Sequence, residues 1–148
     1  MVDGFISEDR QSAPEEVASA LRVPMTASRI AIADDDPDSL ELLRLALAGP
    51  KTEIREATNG AELVQLLGDD GPFDLVVTDV HMPWMEGIQV LRAVRSAQLN
   101  TPVLVITGLA RAGLQEKVDR LGNARLLHKP FGIAELRQAV AALLAKTP

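Results

Sequence analysis

Cysteine is missing from all 148 residues. Its absence excludes disulfides and thiolate metal centres, and is compatible with a reducing compartment. An excess of positive charge is missing as well: 21 acidic residues face 15 Lys and Arg, a net charge of −6. There is no basic footprint for nucleic acid, so the expected partners are proteins or a cation. No uninterrupted apolar stretch is long enough to span a bilayer, and the acidic start Met1-Val2-Asp3-Gly4-Phe5 lacks the apolar region of a secretory leader. A soluble, cytoplasmic protein without membrane contact is the expectation. Aromatic residues are scarce too, and Trp84 is the single tryptophan. With 47% apolar residues, the length suits one domain with one core, plus a tail.

That tail is residues 1–28, where Asp3, Glu8, Asp9, Glu15 and Glu16 outnumber Arg10 and Arg22 among Ser, Ala and Pro. Within it, residues 14–21 suit two helical turns, with Pro14 at the first position, acids near the positive end of the dipole and Pro24 as a stop. So short a helix is marginal unless it docks, and an extension that is disordered or loosely packed is expected. The domain proper is expected at 29–148.

From Arg29 onward the punctuation is regular. Residues 30–33 form a short apolar strand, Asp34-Asp35-Asp36-Pro37 intervenes, and Leu40, Leu42, Leu43, Leu45 and Leu47 mark a helix closed by Gly49-Pro50. Residues 52–57 read as a second strand that alternates charges, Glu53, Arg55 and Glu56, as an edge strand does. Asn59-Gly60 then opens a helix carrying Leu63, Val64, Leu66 and Leu67 before Gly68. Leu75-Val76-Val77-Thr78-Asp79 is a buried strand ending on a carboxylate, and residues 87–97 follow as a helix with Ile88, Val90, Leu91 and Val94 inward. Residues 102–106 make a fourth strand stopping at Thr107-Gly108, and Leu114, Val118 and Leu121 outline the next helix. Arg125-Leu126-Leu127 leads into His128-Lys129-Pro130 and a last helix over 133–145. Strict alternation of strand and helix predicts a doubly wound α/β fold, a five-stranded parallel sheet in the order 2-1-3-4-5 with helices on both faces.

In that order the switch point lies between strands one and three, whose carboxyl ends carry Asp34, Asp35 and Asp79. Two such charges about 4 Å apart repel by roughly 4 kcal/mol at an effective dielectric near 20, so the cluster needs a cation or protons. Oxygen donors favour Mg²⁺. Asp36 and Asp38 have a simpler task, capping the helix that begins at Pro37. Lys129 after strand five and Thr107 after strand four stand at the same edge. A carboxylate nucleophile, a metal site, a hydroxyl and a fixed cation are the equipment of phosphoryl transfer.

These residues resemble the receiver domain of two-component response regulators, a flavodoxin-like fold. The match rests on Asp34-Asp35 after strand one, Asp79 in Val-Val-Thr-Asp-Val-His-Met-Pro with Gly87 beyond, Thr107 after strand four and Lys129-Pro130-Phe131 after strand five. The resemblance implies a signalling switch: Asp79 accepts a phosphoryl group from a phosphohistidine of a sensor histidine kinase or phosphotransfer protein. Such a protein is not a conventional enzyme, since it catalyses only its own phosphotransfer and dephosphorylation. It also implies that Asp35, Asp79 and the His81 carbonyl ligate Mg²⁺ directly while Asp34 helps through water or position, that Thr107 and Lys129 hold phosphoryl oxygens, and that Lys129–Pro130 is cis. A stand-alone receiver without an output domain, monomeric or dimerising on phosphorylation, is the corresponding expectation.

One position departs from the pattern. Receivers usually carry Tyr or Phe three residues before the lysine, and here that switch position is Leu126. This keeps open a phosphorylation-independent interaction module of the same fold. A haloacid dehalogenase-type phosphatase also uses a strand-end aspartate, but its second acid is replaced here by His81. His81 could polarise or block an attacking water, or stay idle; His128 reads as a surface residue, and Trp84 as a fluorescence reporter of metal binding.

Overall fold

The computed structural model describes residues 28–109 and 112–146. The expectations for residues 1–27, including the helix over 14–21, lie outside the described residues. The elements run β1 (Ser28–Ala33), α1 (Pro37–Leu47), β2 (Thr52–Ala57), α2 (Gly60–Asp70), β3 (Leu75–Asp79), α3 (Gly87–Ser96), β4 (Val103–Thr107), α4 (Leu114–Leu121), β5 (Ala124–His128) and α5 (Ile133–Lys146). All four strand pairings are parallel, in the order β2-β1-β3-β4-β5.

The strands' two-residue period sorts the core into two layers. Ile30, Ile32, Leu75, Val77, Leu104 and Ile106 face α1 and α5, packing on Leu40, Leu43, Leu136 and Val140. Ala31, Ala33, Val76, Val103 and Val105 face the other way, against Leu63 of α2, Val90, Leu91 and Val94 of α3 and Val118 of α4. β3 and β4 are buried at every position, as strands covered on both faces must be, whereas in β2 only Ala57 is buried, Thr52 and Ile54 are partly buried and Glu53, Arg55 and Glu56 are exposed. No helix among the described residues is long and apolar enough to cross a membrane.

Boundaries differ from the sequence reading in small ways with local causes. β1 already begins at Ser28, whose N–H donates to the Lys51 carbonyl at 2.9 Å. α2 runs past Gly68 to Asp70, because a solvent-facing glycine weakens a helix without breaking it. The caps match residue chemistry: Asp36 accepts from the Asp38 N–H, with Pro37 in the first turn, and Asn59 accepts from the Glu62 N–H. Lys129–Pro130 is cis, and so is Gly71–Pro72.

Candidate functional site

The carboxyl ends of β1, β3, β4 and β5 carry the polar residues singled out above. Asp34 leaves β1 directly and is only 2% exposed. Its Oδ1 accepts the Asp36 N–H at 2.9 Å, which ties the carboxylate to the turn that starts α1. Asp35, its neighbour, is exposed. Asp79 ends the central strand at 5% exposure, paired in register with Ile106 of β4. One carboxylate oxygen from each of Asp34, Asp35 and Asp79 lies within 4.8 Å of the others.

Lys129 answers this charge from two strands away. Its Nζ stands 3.5 Å from Asp79 Oδ1 and 3.8 Å from Asp34 Oδ2, a single ammonium shared by two buried carboxylates. Asp79 Oδ1 is sealed from solvent and accepts no hydrogen bond among the described residues, so the long ion pair is its main compensation. Burial raises the Asp79 pKa above the ordinary carboxylate range; the charge of Lys129 and then of His81 pulls it back, and Asp35 pushes it up again. Asp34 is raised for the same first reason, opposed by the Asp36 N–H and Lys129 and reinforced by Asp79. Three carboxylates against one ammonium leave a negative surplus when all are ionised. An all-oxygen donor set with a buried, under-compensated oxygen fits a hard divalent cation.

Thr107 is 1% exposed at the end of β4, but its hydroxyl is turned onto its own loop, donating to the Leu109 carbonyl at 2.8 Å and accepting the Leu109 N–H at 3.2 Å. His81, two residues beyond Asp79, is half-buried, and His128 is exposed. Leu126 is half-buried and packs on the core layer under α2, α3 and α4. The loop from Val80 to Glu86 is held from both sides. A Cβ on Gly87 would collide with the Asp79 carbonyl, and one on Gly60 with the Met85 carbonyl, so both helix starts close on this loop only as glycine. Glu86 and Gln89 add a capping box to α3. At the tip of the loop Trp84 has φ +72° and 85% exposure, where it can report changes in the loop or its covering.

Two features escaped the sequence reading. A recess of about 260 Å³ adjoins Asp34 and Lys129, walled by Leu42, Leu43, Pro130 and Phe131. The other is Arg95, whose guanidinium donates to the carbonyls of Leu99, Thr101, Leu121, Gly122 and Asn123 at the opposite end of the sheet. Its one sequence signal is position: a basic residue in the last turn of a helix, where carbonyls lack partners.

With the geometry in hand, comparison with known proteins is specific. The family model described as the response regulator receiver domain matches residues 30–141. The response regulator MprA of Mycolicibacterium vanbaalenii is 39% identical over 121 residues, covering 80% of this chain and 51% of that one. The transcriptional regulatory protein PrrA of Mycobacterium tuberculosis is 35% identical over 124 residues, covering 82% and 52%. Thus the chain spans about half the length of the curated relatives it matches. Among solved structures, the receiver domain of the Francisella response regulator 1452 superposes with a TM-score of 0.73 at 27% identity, covering 82% of this chain and 99% of that one.

Proposed function

The chain belongs to the response regulator receiver domain family, and from that premise we propose that Asp79 accepts a phosphoryl group from the phosphohistidine of a sensor histidine kinase or phosphotransfer protein. The observation that carries this reading is the shared ammonium: Lys129 reaches Asp34 and Asp79 at once, beside the cluster that includes Asp35. We assign the receiver to 28–148, one residue earlier than the sequence expectation because Ser28 already belongs to β1, and regard residues 1–27 as its extension.

Asp34, Asp35, Asp79 and the His81 carbonyl are the residues we assign to Mg²⁺, which when bound supplies positive charge that shields phosphoryl oxygens from the acidic cluster and aligns them for transfer. The chain's own groups do the rest. An Asp79 carboxylate oxygen attacks phosphorus; the bond from phosphorus to imidazole nitrogen breaks, its electron pair leaving with the donor histidine, and an acyl phosphate remains. Lys129 neutralises an oxygen of the incoming group, exchanging a carboxylate partner for a phosphoryl one. Thr107 donates its hydroxyl to another phosphoryl oxygen after giving up its bonds to the Leu109 backbone. Water attacking phosphorus later releases inorganic phosphate and restores the carboxylate. The apolar recess beside Asp34 and Lys129, with Leu42 42% exposed at its lip, gives a phosphodonor protein a place to land next to the acceptor.

Leu126 favours a second reading, an interaction module of this fold that works without phosphorylation, because the aromatic at the switch position is absent. Incubation with acetyl phosphate and Mg²⁺, followed by intact-mass measurement, separates the two. The phosphoryl switch gains one group that Asp79→Asn abolishes; an unmodified wild-type chain supports the module instead.

A further inference from the structure

At the amino-terminal end of the sheet, three residues of β3 or roughly 10 Å from Asp79, an apolar recess of about 200 Å³ opens between the ends of α2 and α3. Leu67, Pro72, Phe73, Val76, Val94 and Leu99 form its walls. Leu99 keeps 48% of its surface in water although its neighbours Phe73 and Val94 are buried. The volume is below the roughly 300 Å³ at which small-molecule pockets begin, so the recess suits the side chains of a peptide better than a free ligand.

The same spot is where the chain enters the described fold. The Arg29 N–H donates to Asp74 Oδ2 at 2.7 Å, and its guanidinium donates to the carbonyls of Asp70 and Pro72 at 2.6 Å each. That guanidinium lies 4.5 Å from the centroid of the Phe73 ring, a wall of the recess. Arg29, the second described residue, therefore stands at the rim of the recess. In the sequence before it, Val17 and Leu21 stand at helical spacing, followed by Val23 and Met25, whereas Met1, Val2, Phe5 and Ile6 are much farther from Ser28 along the chain. From Leu21 to Ser28 an extended chain covers up to roughly 24 Å, enough to cross the mouth of the recess.

We infer that the segment over residues 17–25 docks on this recess, seating Leu21 against Phe73 and Leu99, so that the extension forms part of the receiver's own surface. The occupant is this chain because the recess adjoins its point of entry and the apolar residues sit within reach. The inference concerns the end of the sheet away from Asp79 and stands or falls separately from the phosphoryl reading.

The lack of native cysteine makes a disulfide test clean. Full-length chains carrying Leu21→Cys with Leu99→Cys are compared with chains carrying Leu21→Cys with Lys51→Cys, under mild oxidant at low protein concentration. Lys51 is exposed and its carbonyl accepts the Ser28 N–H, so an undocked tail encounters it at least as readily as Leu99. Docking predicts that the Leu99 pair closes within one chain at least ~10-fold faster, since a held segment raises the local concentration at one site only. Circular dichroism checks that both variants fold. Equal rates, faster closure with Lys51, no disulfide at Leu99 or a disulfide between two chains each overturns the inference; the last would assign the recess to a second copy.

Discussion

Lys129 and Asp79 meet at 3.5 Å although their strands are not neighbours, because β4 lies between β3 and β5 and the lysine reaches across its end. The contact belongs to the sheet's topology, not to either local sequence. It places an ammonium against the carboxylate proposed to react.

Replacing that cation with an uncharged side chain of similar length, Lys129→Met, removes charge where the transferring group must be stabilised. Losing one such contact typically slows a reaction by about 10²- to 10³-fold. Labelling by acetyl phosphate in Mg²⁺, followed by mass spectrometry over time, should fall by about that factor while the circular dichroism spectrum is retained. An unchanged rate would remove Lys129 from the mechanism.

The raised pKa values of Asp34 and Asp79 have a defined sign for stability. Both carboxyls hold protons more tightly folded than unfolded, so folding takes up protons. Their stabilising contribution is complete below the unfolded carboxylate range and is lost as pH rises through the raised folded values. At neutral pH, in a chelator, the ionised cluster therefore works against the fold. Asp79→Asn should melt higher than wild type there, with the difference shrinking as pH falls through the raised range. Added Mg²⁺ should reverse the order: an ion present at 100 times its Kd stabilises by about 2.7 kcal/mol, chiefly in wild type. Thermal melts at neutral and acidic pH, with chelator or Mg²⁺, check both statements; equal Mg²⁺ stabilisation of the two chains would count against a metal at Asp79.

The acidic edge is legible in the sequence because apolar strands stop abruptly at charged residues, and the sheet order is legible because β2 alternates charge while β3 and β4 do not. The split between Asp34 and Asp35 is not. They are adjacent and identical, yet Asp34 is tucked beneath the turn by the Asp36 N–H and Asp35 is exposed. Thr107 shows the same limit: its place at the strand end follows from the pattern, but the partner of its hydroxyl depends on a rotamer and a loop. Gly60 and Gly87 read as helix starts, and only the folded chain reveals that both clamp the loop after Asp79.

Arg95 sets the contrasting case of a residue that supports the fold far from the chemistry. It is half-buried, and its carbonyl partners come from the end of α3, the approach to β4 and the turn between α4 and β5. Burial lowers its pKa, the reverse of what exposure among acids would do. Arg95→Met strands several of those partly buried carbonyls; leaving a fully buried group unsatisfied costs roughly 1–3 kcal/mol, which sets the upper scale, and a loss of about 1 kcal/mol or more follows. Urea denaturation should show a loss of that size, and the rate of phosphoryl labelling in the folded variant should match wild type. A parallel loss of labelling in fully folded protein would show that the two ends of the sheet are coupled.

The most direct test of the account locates the phosphoryl group itself. An acyl phosphate on aspartate is reduced by borohydride to homoserine, which fragment-ion sequencing identifies at a single position. After reaction with a phosphodonor and Mg²⁺, reduction should convert residue 79 and no other; homoserine at position 34 or 35, or none in a chain that carries phosphate, would contradict the assignment of Asp79.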